Sequence, residues 1–365
     1  MLQQYFGSDA PWRSPPSRRR VYHTSESVTI HTPRGCEPAP CDARGRINTQ
    51  VEISGEHIKD LIKVLEAENE REMSEVHPAL AFLDITSIMS VIVPVTQLFS
   101  LSQHVKYIAL EIFQRYMTSH MNSLLEYVTE TTSKGRKRER LIKAVEKKVA
   151  DQSPLRLITC IMIASKLFSH KKNMTPQMCQ KCLKRMKVMT SAHAVIQSER
   201  NILEQIDSRL YRRSSMVVYV GMMVWLGGLG GGDLSNFRQG VVQAGAPMME
   251  PKQLLSHALY VLDVVYMKHK EVYLDLYTIL SGFTTIMNDH RAAYSHVMAD
   301  RMLLGAAVVA AAGLIAGSES MCAVLVATFS HHIARISNRD ILTLASCIVR
   351  ATGLAVYPLD LLATP

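Results

Sequence analysis

Residues 159–169 read Thr-Cys-Ile-Met-Ile-Ala-Ser-Lys-Leu-Phe-Ser. Small and apolar residues run up to one lysine, Lys166, and an aromatic, Phe168, follows two places later. Upstream, Ser153-Pro154 offers a capping hydroxyl and then a proline at a first helical position, so a helix is expected over about 153–169. The same grammar repeats outward. Thr175-Pro176 opens a helix expected over 175–186, and Ser102 precedes one expected over 103–122. Further helices are expected near 80–99 and 191–207. Ile58, Leu61, Ile62 and Leu65 fall at i, i+3, i+4 and i+7, with lysine and glutamate between them, which is the spacing of one helical face. Almost no alternating strand pattern with hairpin turns is present, so the expected fold class is all-α.

Gly227–Gly232, Gly-Gly-Leu-Gly-Gly-Gly, breaks this pattern and opens a connection reaching about Pro251. Helices are expected again near 253–268, 271–288, 297–316, 320–335 and 339–353. The chain therefore reads as a disordered basic, Pro-rich tail over 1–53, a helical domain over 54–220, a Gly-rich linker over 221–251 and a C-terminal helical domain over 252–365. The tail is rich in Pro, Ser, Arg and Gly and buries too little apolar area to offset its ordering entropy. Ser14-Pro15 and Thr32-Pro33 have the form of proline-directed phosphorylation sites, but so common a dipeptide reads first as plain linker.

With 365 residues, 47% of them hydrophobic, the chain can build cores for two domains. A net charge of +9 permits acidic partners without showing one. Seven cysteines scattered through apolar and polar context read as free thiols of a reducing compartment, the nucleus or the cytosol. No secretory signal is read in the first residues. Met302–Gly317 is apolar throughout but shorter than the roughly 20 residues that span a bilayer, so a buried core helix is expected there and no membrane partner.

Groups fit for chemistry are scarce. Gly227–Gly232 lacks the Lys-Ser or Lys-Thr of a phosphate loop. Cys179 and Cys182 form a C-x-x-C with no second ligand pair, so no metal and no other cofactor is expected. His331 and His332 are adjacent and point to different helix faces. No nucleophile signature is present, and no catalytic residue is assigned. An α-helical enzyme would need polar groups converging in a pocket, and the sequence offers none.

The basic run Lys134-Gly135-Arg136-Lys137-Arg138-Glu139-Arg140, continued by Lys143, Lys147 and Lys148, is read as an insertion between helices over about 120–152. Three readings stand: a solvated loop, a nuclear-import signal carried by Lys134, Arg136, Lys137, Arg138 and Arg140, and a nucleic-acid contact. No aromatics interleave with the basic residues, so direct nucleic-acid binding is the least favoured.

Three segments resemble the cyclin box, in order along the chain. Ala109–Met117 is similar to its second helix, Thr159–Ser169 to its third, and Ser198–Leu210 to its fifth. The resemblance implies a five-helix, cyclin-like bundle, with the second helical group as a degenerate second box. It implies kinase contact through Lys166 and Glu199, the positions of the lysine and glutamate by which cyclins hold backbone near a kinase's mobile helix; the alternative is that the two are plain surface charges or pair with one another. Positions Ile85, Ser90, Val91 and Gln114 depart from the cell-cycle cyclins. A buried ion pair has lost both of its ends there, which can be energetically neutral. Phe168-Ser169 also stand where two acidic residues are usual. Over about 80–350 the texture is closer to a divergent cyclin-like family of meiosis, including Leu155–Cys160, the basic insertion, Leu259–Tyr266 and Met302–Ala311. That likeness implies a nuclear, non-catalytic protein with a cyclin-dependent kinase and meiotic crossover factors as partners. The alternative is a general cyclin of the cell cycle or transcription.

Overall fold

Apolar residues on one face, a capping side chain at the start and a glycine at the end recur through this chain, and helices follow wherever they do. The computed structural model describes residues 55–75, 83–132, 135–168, 173–210, 214–229, 249–287, 290–316 and 319–353. The tail over 1–53, Lys134, Ser169 and residues 230–248 of the expected linker lie outside them.

The described residues form thirteen helices and no strand. They are α1 (Gly55–Ser74), α2 (Ile85–Leu98), α3 (Gln103–Thr131), α4 (Arg136–Phe168), α5 (Pro176–Arg185), α6 (Ala192–Gln205) and α7 (Met216–Leu229). Then come α8 (Pro251–Met267), α9 (His269–Ser281), α10 (Arg291–Ala299), α11 (Arg301–Ile315), α12 (Glu319–His332) and α13 (Asn338–Thr352). The all-α expectation is met. Several starts are side-chain capped: Asp84, Thr175, Ser191, Asp300 and Ser337 each accept a backbone N–H from the first turn of their helix. Gly282 and Gly353 end α9 and α13 in the left-handed conformation that glycine adopts without strain.

Helices α2–α6 pack together, with the long pair α3 and α4 as their axis. In the second half, α11 lies at the centre, packed by α7, α8, α12 and α13. Almost every residue of α11 from Met302 to Leu314 is buried, as its apolar run requires. Gly305 and Gly313 let α7 and α12 come close: a Cβ on Gly313 would sit 3.2 Å from Met321 and 3.3 Å from Leu325. No single described helix is long and apolar enough to cross a membrane.

Two buried ion clusters bind the halves. Arg301 at the start of α11 reaches Glu72 of α1 at 3.0 Å and Glu111 of α3 at 2.9 Å. Its guanidinium also donates to the Ser214 carbonyl, and Asn69 bonds both its backbone N–H and Asp300. Lys106 of α3 pairs with Asp263 of α8 at 2.5 Å, and the Tyr107 hydroxyl donates to the same carboxylate at 2.7 Å. Helix α3 thus keeps buried ion pairs to α8 and α11, while Ile85 packs as plain core.

Four local expectations are corrected. The basic insertion is not a solvated loop: α3 continues to Thr131 and α4 begins at Arg136, so the segment is a pair of antiparallel helical extensions. Pro154 accordingly lies inside α4 and is buried, not at a helix start. Packing of the flanking turns outweighs one lost backbone hydrogen bond. Residues 221–229, assigned to the linker, belong to α7, a helix apolar all round and therefore without the period that betrays a helix. The helix expected over 297–316 breaks at Asp300, which ends α10 and caps α11 with a 61° bend between them.

Candidate partner-binding site

The end of α4 is fixed from inside. The Ser165 hydroxyl donates to Met162 O at 2.7 Å and accepts Met174 N at 3.0 Å, clamping the start of the α4–α5 connection to the helix. Thr175 then caps α5, and Gln180 reaches back to the Thr190 carbonyl at 2.9 Å, so α5 and the lead into α6 move as one piece. Ser191 caps α6. Val195, Ser198 and Ile202 bury one face of α6, which packs on α4. Glu199, one place past Ser198, is turned to the rim of that contact.

Lys166 stands opposite. Its Nζ lies 2.6 Å from Glu199 Oε1 and 2.8 Å from Oε2. The two candidate residues, 33 apart in sequence, are brought together as an ion pair. The Lys166 side chain remains 43% exposed and that of Glu199 19%. An ion pair so open to water adds about 0–1 kcal/mol to stability. It holds two charged groups at the surface and exchanges partners at small cost.

Beside it, Phe168 stacks on His104 of α3, with ring centroids 5.6 Å apart and planes inclined by 8°. Burial lowers the His104 pKa, which favours the neutral ring that stacks on a phenyl group. Ile196, one turn before Glu199 on α6, is half exposed, and Met189 on the α5–α6 connection is almost bare. The site is therefore an ammonium and a carboxylate paired across α4 and α6, with the exposed Ile196 one turn before Glu199 on α6. Sequence reading found the two charges. It missed Ile196 and the His104–Phe168 stack, because apolar residues at a surface and in a core look alike in one dimension.

The import candidates sit at the other end of α4. Arg136, Arg138 and Arg140 occupy its first turns, about 45 Å of helix from Lys166. Arg136 and Arg140 share a face, and Arg138 is turned away from it. Arg138 donates to Thr129 Oγ1 on α3 at 2.6 Å, while Arg136 and Arg140 are exposed. Lys137 lies in the same helix, and Lys134 is outside the described residues.

Cys179 and Cys182 are buried in α5, and burial pushes the Cys179 thiol up to about 12. They pack as apolar groups. Among the described residues no three His, Cys, Asp or Glu side chains gather as a metal site.

Comparison with known proteins finds distant similarity to cyclin-like chains. Human cyclin N-terminal domain-containing protein 1 is 21% identical over 267 residues, covering 73% of this chain and 76% of that protein. Its mouse counterpart is 22% identical over 268 residues, covering 73% and 75%. The chain is a distant relative of these cyclin-like proteins. No protein-family model matches it. A cyclin-like chain at this distance retains fold-determining apolar positions first, because a core tolerates substitution that keeps volume and pattern.

Proposed function

We propose that this cyclin-like chain is a regulatory protein without catalysis of its own, which binds a cyclin-dependent kinase in the nucleus and serves the maturation of meiotic crossovers together with crossover factors. The Lys166–Glu199 pair carries the kinase part of the reading. A lysine and a glutamate on adjacent helices, with the exposed Ile196 one turn before Glu199, suit a partner that offers loose backbone groups and an apolar anchor. Pushing a mobile kinase helix inward would complete the kinase's own lysine–glutamate pair, the step that activation requires. The meiotic part is supported by the sequence likeness alone.

The test uses the full-length chain and a panel of purified cyclin-dependent kinases. Lys166→Ala/Glu199→Ala and the charge swap Lys166→Glu/Glu199→Lys should each lose capture of the cognate kinase at least tenfold, with melting temperature unchanged within about 2 °C. Undiminished capture by both variants overturns the site. Staining of germline nuclei should give foci on meiotic chromosomes; uniform cytoplasmic signal there overturns the meiotic reading.

A further inference from the structure

The helical extension changes what the basic run can do. In a helix each residue turns by about 100° and rises 1.5 Å. Arg136, Arg140, Lys143 and Lys147 are spaced i, i+4, i+7 and i+11, so they fall within about 60° of one another along roughly 16 Å of α4. All four are exposed. Val145, Val149 and Ile142, which are buried or half-buried, lie on the opposite side, where α3 brings Leu124 and Val128. The stripe therefore faces outward, away from the seam that forms the arm. None of its four cations makes an ion pair with the described residues. Glu139 and Glu146 flank it on one side without closing to salt-bridge distance.

We propose that this stripe is a contact for the phosphate backbone of duplex DNA, made without reading base sequence. Three physical arguments select that partner. Apart from Ala144 and the part-exposed Leu141 at one edge, the face carries no apolar or aromatic side chain, whereas a stable protein–protein contact needs a desolvated apolar or aromatic centre. Backbone phosphate binding needs only placed cations, because its free energy comes from counterion release. The missing aromatics tell against single strands, where bases stack, but not against a duplex. A straight helix with cations 4.5–6 Å apart along its axis fits beside or within the roughly 12 Å major groove of B-form DNA. The major groove of an RNA duplex is too narrow to admit it. The proposal is independent of kinase binding, since the stripe and Lys166 lie at opposite ends of α4.

The experiment is fluorescence anisotropy of the full-length chain with a labelled 30-base-pair DNA of arbitrary sequence, from 50 to 200 mM NaCl. The variant Arg136→Gln/Arg140→Gln/Lys143→Gln/Lys147→Gln keeps helix propensity while removing four charges. Its salt slope should be shallower than that of the unaltered chain by about 3 to 4, and its affinity at 100 mM at least tenfold weaker. A control removes four exposed charges elsewhere, Lys63→Gln/Lys181→Gln/Lys252→Gln/Arg339→Gln, and should stay within threefold of the unaltered chain. Both carry the same basic tail, so the difference reports the stripe. Should circular dichroism show the arm unfolded in the fourfold variant, Arg140→Gln and Lys147→Gln singly should each reduce the slope by about 1. Equal losses in variant and control, no binding by the unaltered chain, or tighter binding to duplex RNA or polyglutamate than to DNA would each overturn the proposal.

Discussion

His269 sits between Tyr266 and Tyr273, its ring 4.5 Å from that of Tyr273, and Tyr107 continues the aromatic run beyond Tyr266. Burial lowers its pKa from 6.5 to about 4, although Asp84 pulls the other way. The folded protein therefore holds this ring neutral while the unfolded chain takes up a proton near pH 6.5. Between those values the unfolded state binds more protons, so stability falls as pH drops from about 6.5 toward 4 and is full above that window. The loss is on the order of 3 kcal/mol for this group. Urea melts at pH 7.5 and 5.0 should differ by about 2 kcal/mol from this group, and His269→Phe should flatten the difference; an unchanged pH dependence in that variant would contradict the assignment. Next to it, the Tyr273 hydroxyl is buried without a hydrogen-bond partner among the described residues. Removing a buried unsatisfied group relieves a cost of about 1 kcal/mol, so Tyr273→Phe should raise the denaturation midpoint. A lower midpoint would mean the hydroxyl is satisfied. Neither residue could be singled out from sequence, because the stack joins α3 to α8 and α9 across more than a hundred residues.

Among the helices, the junction of α10 and α11 carries the largest electrostatic stake. Burial pulls the Arg301 guanidinium down, but Glu111 and Glu72 outweigh it and hold it above its ordinary range. Arg301→Met would remove the cation that Glu72 and Glu111 share at this buried junction, a loss of about 3–5 kcal/mol. The triple variant Arg301→Met/Glu72→Leu/Glu111→Met removes the charges together and should recover most of that loss in a chemical melt. If the triple variant is no better than the single one, packing and not charge sets the cost. The break at Asp300 was missed because the apolar run that follows reads as continuous with Val297 and Met298; the capping bond from Leu303 N to Asp300 decides it. Helix α7 was missed for the opposite reason. An evenly apolar helix has no face to detect, and it is stable only because α8, α11 and α12 surround it.

For the molecule as a whole, the arm formed by the far halves of α3 and α4 buries few large side chains, Leu124, Val128 and Val149 among them. The turns that enter the central core are Val105–Met117 of α3 and Leu157–Ala164 of α4. Replacing residues 122–149 by a short Gly-Asn turn should leave the cooperative melt of the remainder within about 5 °C, while abolishing the stripe on α4. A collapse of the melt would show that the arm supports the core. The candidate kinase surface stands on Ser165, Thr175 and Ser191, which the excision does not touch.

The amino-acid order by itself determined the helical class and most helix starts, since caps and 3.6-residue periods are local properties; Lys166 and Glu199 were singled out only by the likeness to the cyclin box. Only tertiary structure decided that those two side chains meet, that the basic run is a helix with one outward stripe, and that Arg301 joins α1 to α3. Each of these depends on which faces are left after burial, and burial is set by partners distant in sequence.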